Sequence, residues 1–267
     1  MEQRRVLITG AGSGLGRALA FCFSENGWRV ACADINIDSA NETVRQITQF
    51  GVGAMALWVD MADDLAVEEM RDEVLAAWDG VDIVINNAGV ASAGTVADTS
   101  LEDWRWTLNI NFMGVVRGTR AFLPVLLRQG QGRIVNIASF AGIANAPSMG
   151  AYSASKAAVS SLSETLRAEL ALSAVGIKVS VVCPAFFKTS LMTTARAPDK
   201  DRALALRLMA SASESADDVA AAVYKGVLRG DFMILPTRAE TMRWRIKRFL
   251  PDLFLRKLLR AYRQRQR

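Results

Sequence analysis

Two side chains in the middle of the sequence have the types and spacing needed to move a proton. Tyr152 and Lys156 are four residues apart in a segment of small residues and good helix formers. A helix places such a pair on one face, with Cβ atoms about 5 to 6 Å apart. Because a neighbouring ammonium favours the ionised form of a phenol, we expect Lys156 to lower the Tyr152 pKa and Tyr152 to act as a general acid or base.

A hydroxyl group is expected beside this pair. The apolar run around Ile134, Val135 and Ile137 predicts a buried strand that carries Ser139 to its carboxyl end. Ser139 could there hold a substrate oxygen next to Tyr152. The alternative is a surface helix in which a Tyr and a Lys stand four residues apart by chance.

Composition narrows the chemistry further. The chain has 267 residues, 51% of them apolar, and contains no histidine. A Ser-His-Asp mechanism and a histidine-liganded metal are therefore excluded for this chain, and we expect no metal. The three cysteines Cys22, Cys32 and Cys183 are far apart, which fits a reducing compartment. Because glycines interrupt the first apolar segment, we expect no export signal and a cytoplasmic protein.

A glycine-rich turn near the N-terminus indicates nucleotide binding. The predicted strand 5–9 leads into Gly10, Gly14 and Gly16 and then into a helical pattern at 17–25. Glycines at such a turn let the backbone approach a pyrophosphate at the helix N-terminus. The spacing matches the general dinucleotide fingerprint only in part.

The second predicted strand, 28–33, ends at Asp34, about 20 residues past the glycines. A carboxylate there accepts a hydrogen bond from a ribose 2′-hydroxyl and repels a 2′-phosphate. Positions Ser13, Ile35 and Asn36 offer no cation for such a phosphate. NAD is therefore favoured over NADP.

Strands and helices alternate along the rest of the chain. Further strands are predicted at 53–59, 81–85, 177–183 and 232–235. This alternation predicts an α/β protein with a doubly wound parallel sheet of about seven strands in three αβα layers. Asn111 falls inside a predicted helical stretch at 104–128, where an Asn needs a packing or functional reason.

These pieces together resemble the short-chain dehydrogenase/reductase family from about residue 5 to residue 236. The resemblance implies a Rossmann-like fold and oxidation or reduction of a CH–OH group with a nicotinamide cofactor. The residues that carry it are Thr9, Gly10, Gly14, Gly16, Asp34, Asp60, the turn 86–89, Asn111, Ser139, Tyr152, Lys156 and the segment 184–189.

The resemblance also implies a role for each site residue. Tyr152 would be the general acid/base, Ser139 would steady the substrate oxygen, and Asn111 would hold a water of the proton relay. Lys156 would also hold the nicotinamide ribose. Cofactor contacts are implied for Gly10, Ser13, Gly14, Leu15, Gly16, Asp34, Asp60, Met61, Asn87, Ala88, Gly89, Tyr152, Lys156, Pro184, Phe187 and Thr189. Ala185 departs from the usual glycine of the family, which could shift the loop that carries Thr189.

An apolar segment at 186–215 is expected to form a lid over the substrate. We predict an apolar secondary alcohol or ketone, with lipid, steroid-like and aromatic compounds all open. The alternative is a lid that packs only on itself. The predicted substrate contacts are Ser139, Phe140, Ile143, Met149, Tyr152, Phe186, Leu191 and Met192.

The C-terminal extension, residues 238–267, follows the predicted domain 1–237. It carries eleven Lys or Arg and two acidic residues, a net +9, so the remainder of this +5 chain sums to −4. A helix beginning at Pro251 is expected to be amphipathic, with one side formed by Phe254, Leu255, Leu258, Leu259 and Tyr262. That side could lie on an anionic membrane surface, or dock on the enzyme or a second subunit. Nucleic acid is not expected as a partner.

Three functions are compatible with these residues. The leading hypothesis is an NAD-dependent alcohol dehydrogenase or ketone reductase, and the resemblance implies a homodimer or homotetramer. An NADPH-dependent ketoacyl-type reductase is a second, against which Asp34 argues. A dinucleotide-binding regulator without catalysis is a third, but it would not need Ser139, Tyr152 and Lys156 together.

Overall fold

Within the described residues, the sheet contains seven parallel strands in the order β3-β2-β1-β4-β5-β6-β7. A computed structural model describes residues 4–173, 176–189 and 191–266. The strands are β1 (Arg5–Thr9), β2 (Arg29–Asp34), β3 (Ala54–Trp58), β4 (Ile83–Asn86), β5 (Gln131–Ile137), β6 (Gly176–Val182) and β7 (Met233–Ile234). The predicted doubly wound α/β sheet is confirmed.

Helices cover both faces of this sheet, which gives the three αβα layers. They are α1 (Gly14–Glu25), α2 (Ile37–Ile47), α3 (Asp64–Trp78), α4 (Leu101–Leu108), α5 (Gly114–Gln129), α6 (Ala141–Ala144), α7 (Gly150–Leu172), α8 (Asp199–Ala210), α9 (Ala216–Arg229), α10 (Arg238–Phe249) and α11 (Pro251–Gln266). Alternate residues of β1 point to opposite layers: Val6 and Ile8 pack with α1 and α9, whereas Leu7 packs with α3, α5 and α7. Burial on both faces explains why the strands read as continuous apolar runs.

The strand order reverses between β1 and β4. The chain leaves β1 toward β2 on one side of the sheet and returns to β4 on the other. In an open parallel sheet this reversal leaves a crevice at the carboxyl ends of the strands, where ligands bind. Thr9, Asp34 and Asn86 are each the last residue of a strand and therefore lie at this edge.

The predicted long helix is helical throughout but not uniformly α-helical. A π-helical turn, Asn109–Met113, separates α4 from α5 and contains Asn111, while Pro124 lies inside α5. The combined stretch Leu101–Gln129 is long and apolar enough to cross a membrane by length and composition alone. Half of its 18-residue apolar window is buried in the fold, as in a core helix.

A buried row of polar side chains fixes α7 beneath the sheet. The Asn86 amide donates to Asn136 Oδ1 at 2.9 Å, and the Asn136 amide donates to Ser163 Oγ at 3.0 Å. These residues belong to β4, β5 and α7, and all three are buried. Since buried polar groups are costly when unpaired, the row favours one placement of α7 against the two strands.

Glycines at the β1–α1 turn bring two backbone segments unusually close. Gly10 has φ +67°, a conformation that favours glycine. A Cβ atom at Gly16 would lie 2.0 Å from the Gly10 carbonyl oxygen and 2.6 Å from Asn87 Nδ2. The turn therefore has no room for a side chain at Gly16.

Gly16→Ala should destabilise the protein by about 1 to 3 kcal/mol, because the added methyl forces the turn apart. Urea unfolding measures this change. Gly53→Ala is the matched control, since the added Cβ would meet only the Arg29 side chain, at 3.0 Å or more. Equal stability of the two variants would contradict the close approach of Gly16 to Gly10.

Candidate active site

The Asp34 carboxylate is oriented by backbone amides on both of its oxygens. Gly12 N–H donates to Oδ2 at 2.8 Å, and Asn36 N–H donates to Oδ1 at 2.9 Å. A cation also lies beside this turn, although it was not singled out from the sequence. The Arg17 guanidinium donates to the Gly12 carbonyl oxygen and, at 3.0 Å, to Thr43 Oγ1. Asp34 thus presents a fixed negative charge at the end of β2.

Asn87 joins the ends of β1 and β4. Its amide donates to the carbonyl oxygens of Thr9 and Gly10 at 2.8 and 3.2 Å. In the other direction, Thr9 Oγ1 accepts the backbone N–H groups of Asn87 and Ala88 at 3.0 and 3.1 Å. The glycine turn and the polar turn after β4 are therefore held as one edge of the crevice.

Asn111 lies fully buried and pairs with both backbone groups of Val90. Its Oδ1 accepts from Val90 N–H at 2.7 Å, and its Nδ2 donates to the Val90 carbonyl at 2.9 Å and to Ser155 Oγ at 3.2 Å. A Cβ atom at Gly89 would lie 3.0 Å from Asn111 Oδ1 and 3.3 Å from Lys156 Nζ. The structure therefore brings Asn111, Gly89 and Lys156 together, with the amide of Asn111 engaged by the turn.

Ser139 follows β5 and faces the loop after β6. Its Oγ accepts from Ala141 N–H at 3.1 Å and donates to the Pro184 carbonyl at 3.4 Å. The same carbonyl accepts the Phe140 N–H at 2.8 Å. The hydroxyl is half-buried, so it remains reachable from the crevice.

Lys156 is 4% exposed and anchors α7 to the end of β5. Its Nζ donates to the Ile137 carbonyl oxygen at 2.9 Å. Burial lowers the pKa of Lys156 from 10.5 to about 8, because the charged ammonium loses solvation.

Tyr152 lies one turn before Lys156 on α7 and is 8% exposed. Burial raises the pKa of Tyr152, and a hydrogen bond with the Ser139 side chain opposes that rise in part. The net shift of the Tyr152 pKa is therefore upward, opposite to the expected lowering. Desolvation of the phenolate is the dominant effect, and at neutral pH the phenol keeps its proton.

Comparison with known proteins identifies the family. A family profile described as short chain dehydrogenase matches residues 4–200. The chain belongs to this family. It is therefore an oxidoreductase acting on CH–OH groups with a nicotinamide dinucleotide cofactor, as expected from the resemblance.

Individual family members match most of the chain. The Mycobacterium tuberculosis protein SadH is 38% identical over 198 residues, covering 74% of this chain and 72% of SadH. Dehydrogenase/reductase SDR family member 7B of Mus musculus is 34% identical over 256 residues, which cover 94% of this chain and 79% of the mouse protein. A short-chain dehydrogenase/reductase from Burkholderia phymatum, solved in complex with NAD, superposes with a TM-score of 0.89 at 32% identity. The match covers 94% of this chain and 95% of the Burkholderia chain.

Several predicted cofactor residues of this dehydrogenase have side chains that point into the core. Leu15 belongs to the core cluster on the side of α1 and α9, and Phe187 packs against that cluster. Met61 belongs to the core cluster on the opposite side of the sheet, and Ala88 packs against that one. Any cofactor contact by Leu15 and Met61 would therefore come from the backbone. Asp60 Oδ1 accepts the backbone N–H of Ala62 at 2.8 Å.

Other predicted cofactor residues, at the start of α1 and in the loop after β6, range from exposed to buried. Ser13 is exposed before α1, whereas Gly14 is partly buried within the helix and has φ +52°. Pro184 is buried after β6, and Thr189 is half-buried further along the same loop. The loop thus begins in the core and is partly exposed at Thr189.

The predicted substrate residues near α6 and α7 are mostly covered. Phe140 is buried, and Ile143 packs against a core cluster that includes Val159 and Cys183. Met149, half-buried before α7, forms an isolated bridge with Gly94.

The predicted lid packs both on itself and on the loop after β4, since Ala91 joins its apolar cluster and Arg196 pairs with the backbone of Ala91 and Ala93. Met192 is buried with Ala91, Ala195 and Met209, and Leu191 packs against this cluster. These side chains contact one another because the segment folds back through α8. Phe186, in contrast, is exposed at the start of the segment.

The C-terminal extension docks on both sides of the active-site region. Glu240, buried in α10, accepts the Ala185 N–H at 2.6 Å, and burial raises its pKa. Lys247 donates to the Ile143 carbonyl oxygen. Tyr262 Oη lies 3.1 Å from Ser148 Oγ, within hydrogen-bonding distance. Docking on the enzyme, one of the two alternatives, is thus observed for one side of the extension.

Most of these contacts had no local signal in the sequence. Thr237 and Glu240 form a capping box that marks the start of α10, but their spacing does not reveal the contact of Glu240 with Ala185. Leu255 is 51% exposed, contrary to the expectation that it shares a side with Phe254. The step from Phe254 to Leu255 rotates the side chain by about 100° around the helix.

The buried ammonium of Lys156 should make stability depend on pH. Between pH 8 and 10.5 the unfolded chain keeps a proton that the folded Lys156 has lost. Wild-type stability, relative to Lys156→Met, should therefore rise through this window, by about 1.4 kcal/mol per pH unit at most. Urea unfolding of both proteins at several pH values measures the difference. Lys225→Met, at an exposed position of α9, is the control and should show no such pH-dependent difference from the wild type. A difference between wild type and Lys156→Met that does not change with pH would contradict the burial of the Lys156 ammonium.

Proposed function

We propose that the protein is an NAD-dependent oxidoreductase that interconverts a secondary alcohol and a ketone, with Tyr152 as general acid/base. The observation that supports this most directly is the buried Tyr152 phenol next to Ser139, on a helix anchored by Lys156. Asn111 and Gly89 lie close to the Lys156 ammonium.

The protonation state of Tyr152 fits this chemistry. In the reduction direction, a hydride adds to the carbonyl carbon and the phenol donates its proton to the carbonyl oxygen. In the oxidation direction, the phenolate accepts the hydroxyl proton as the hydride leaves. Because burial raises the Tyr152 pKa, the phenol holds a proton at neutral pH and is ready to donate it. Ser139 would hold the substrate oxygen at hydrogen-bonding distance.

The bound nicotinamide would supply or accept the hydride. The residues that would hold the cofactor are the glycine turn, Asp34, the polar turn after β4, Lys156 and the loop after Pro184. The crowded turn before α1 supports this fit, because Gly10 and Gly16 leave no room for side chains there and a glycine turn at a helix N-terminus suits a pyrophosphate.

We propose NAD rather than NADP because of the fixed charge of Asp34. Its carboxylate can accept a ribose hydroxyl while repelling a phosphate at the same place. Arg17 lies nearby, but its guanidinium is engaged with Gly12 and Thr43. The NADPH-dependent ketoacyl-type alternative is therefore not favoured.

The proposed substrate is a small hydrophobic alcohol or ketone. Exposed Phe186 and half-buried Met149 support an apolar approach to Tyr152, although Met192 and Leu191 are taken up by the lid's own cluster. We also propose a homodimer or homotetramer through α5 and α7, whose exposed apolar residues Leu127 and Leu172 would be covered.

Replacing Tyr152 tests the proposed chemistry. Tyr152→Phe should lower kcat by about 10²- to 10⁴-fold, because no group then transfers the proton. NAD binding, measured by calorimetry, should change little. Tyr224→Phe in α9 is the matched control and should keep its activity in a panel of secondary alcohols. Unchanged turnover of Tyr152→Phe would refute the acid/base role, and turnover absent even in the wild type with NAD bound would favour the regulator.

Replacing Asp34 tests the cofactor preference. Asp34→Asn should shift the ratio of kcat/KM for NAD over NADP toward NADP by about ten- to a hundredfold, as expected for removing one like-charge contact of a few kcal/mol. Asp38→Asn, at an exposed position of the same turn region, should leave the ratio unchanged. A wild-type preference for NADP, or no shift in Asp34→Asn, would show that another group sets the preference.

A further inference from the structure

One face of α10 alternates cations with exposed apolar side chains. Arg238, Met242, Arg245 and Phe249 follow the spacing of a single helical face, and all four are exposed. Met242 is 56% exposed and Phe249 is 73% exposed. Large apolar side chains at these levels of exposure are not explained by packing within the subunit.

The apolar character continues around the corner between α10 and α11. Leu250, which joins the two helices, is 53% exposed, and Leu255 in α11 is 51% exposed. We call the exposed face formed by Met242, Phe249, Leu250 and Leu255 the outer face of the extension. The opposite side is occupied, since Tyr262 contacts Ser148 and Lys247 contacts Ile143.

The outer face is surrounded by positive charge. The extension carries a net +9, whereas the rest of the chain carries −4. The exposed cations around the apolar residues are Arg238, Arg243, Arg245, Arg248, Arg256, Lys257, Arg260 and Arg263. The charge of the whole protein is therefore strongly asymmetric, with its positive part concentrated where the apolar residues are exposed.

We propose that the outer face binds the surface of an anionic lipid bilayer. Helices that lie in a membrane interface insert apolar side chains at the boundary of headgroups and acyl chains, while flanking Lys and Arg contact lipid phosphates. Exposed apolar side chains and exposed cations are both present on α10 and α11. A second copy that met this surface with its own extension would bring two +9 segments together, and a nucleic acid would use the cations but not the exposed Phe and Leu side chains.

The docked side places this surface next to the proposed active site. Tyr262 contacts Ser148 and Lys247 contacts the Ile143 carbonyl, so the extension lies against the loop between Ser139 and Tyr152. If the proposed function holds, a membrane-bound enzyme would receive its apolar alcohol or ketone from the bilayer beside this loop. Membrane binding itself does not depend on that activity.

Vesicle flotation of the full-length protein tests the proposal. The protein should float with vesicles of equal parts phosphatidylserine and phosphatidylcholine and stay in solution with pure phosphatidylcholine. The double variant Phe249→Ala, Leu250→Ala should lower the partition coefficient by at least about tenfold, because two apolar side chains leave the interface. The double variant Arg245→Gln, Arg248→Gln should also lower it and should weaken its dependence on salt.

A matched control carries one apolar and one charge substitution elsewhere, Leu65→Ala with Lys225→Gln, both at exposed positions. It should float like the wild type. Thermal unfolding checks that every variant is folded. A wild-type protein that remains in solution with both kinds of vesicle would overturn the proposal. Flotation that is unchanged in the Phe249→Ala, Leu250→Ala variant would also overturn it, because it would indicate a general affinity for polyanions. Self-association that this variant abolishes, in a protein whose wild type never floats, would overturn it as well.

Turnover is measured separately on the same preparations. A protein that floats but does not oxidise or reduce any alcohol or ketone supports the membrane surface and counts against the proposed function. A protein that is active but never floats supports the proposed function and counts against the membrane surface.

Discussion

The hydrogen bond from the buried Lys156 ammonium to the Ile137 carbonyl joins the two elements on which the candidate site depends. Ile137 ends β5 just before Ser139, and Lys156 lies one helical turn after Tyr152 on α7. A shift of α7 along β5 would therefore leave a charged group without its acceptor inside the protein, which is costly. The relative position of the hydroxyl and the phenol is thus set by a polar contact beneath them.

Desolvation determines the electrostatics of this region more than pairing of charges does. The same burial that lowers the Lys156 pKa raises the Tyr152 pKa, so the two groups move toward their uncharged forms. A site of this kind favours states in which little net charge accumulates. The polar row Asn86, Asn136 and Ser163 beneath it contributes hydrogen bonds without adding charge.

The sequence predicted the sheet well because strands depend on local patterns. Buried runs of apolar residues marked the strands, and the position of Asp34 at the sheet edge followed from the predicted end of its strand. The sign of the Tyr152 pKa shift could not be predicted, because it depends on how deeply α7 is buried. The packing of Met192 within its own cluster also depends on the path of a loop. Contacts such as Tyr262 with Ser148 join residues more than a hundred positions apart, and no local spacing encodes them.

The carboxylate of Glu240 links the loop after β6 to the C-terminal extension. It accepts the amides of Ala185 and Thr237, at 2.6 and 2.8 Å, and so connects the loop after β6 to the first turn of α10. A shortened protein that stopped after β7 would retain every residue of the proposed proton transfer yet lose this acceptor. The loop that carries the predicted cofactor residue Thr189 would then lack its hydrogen bond to the extension.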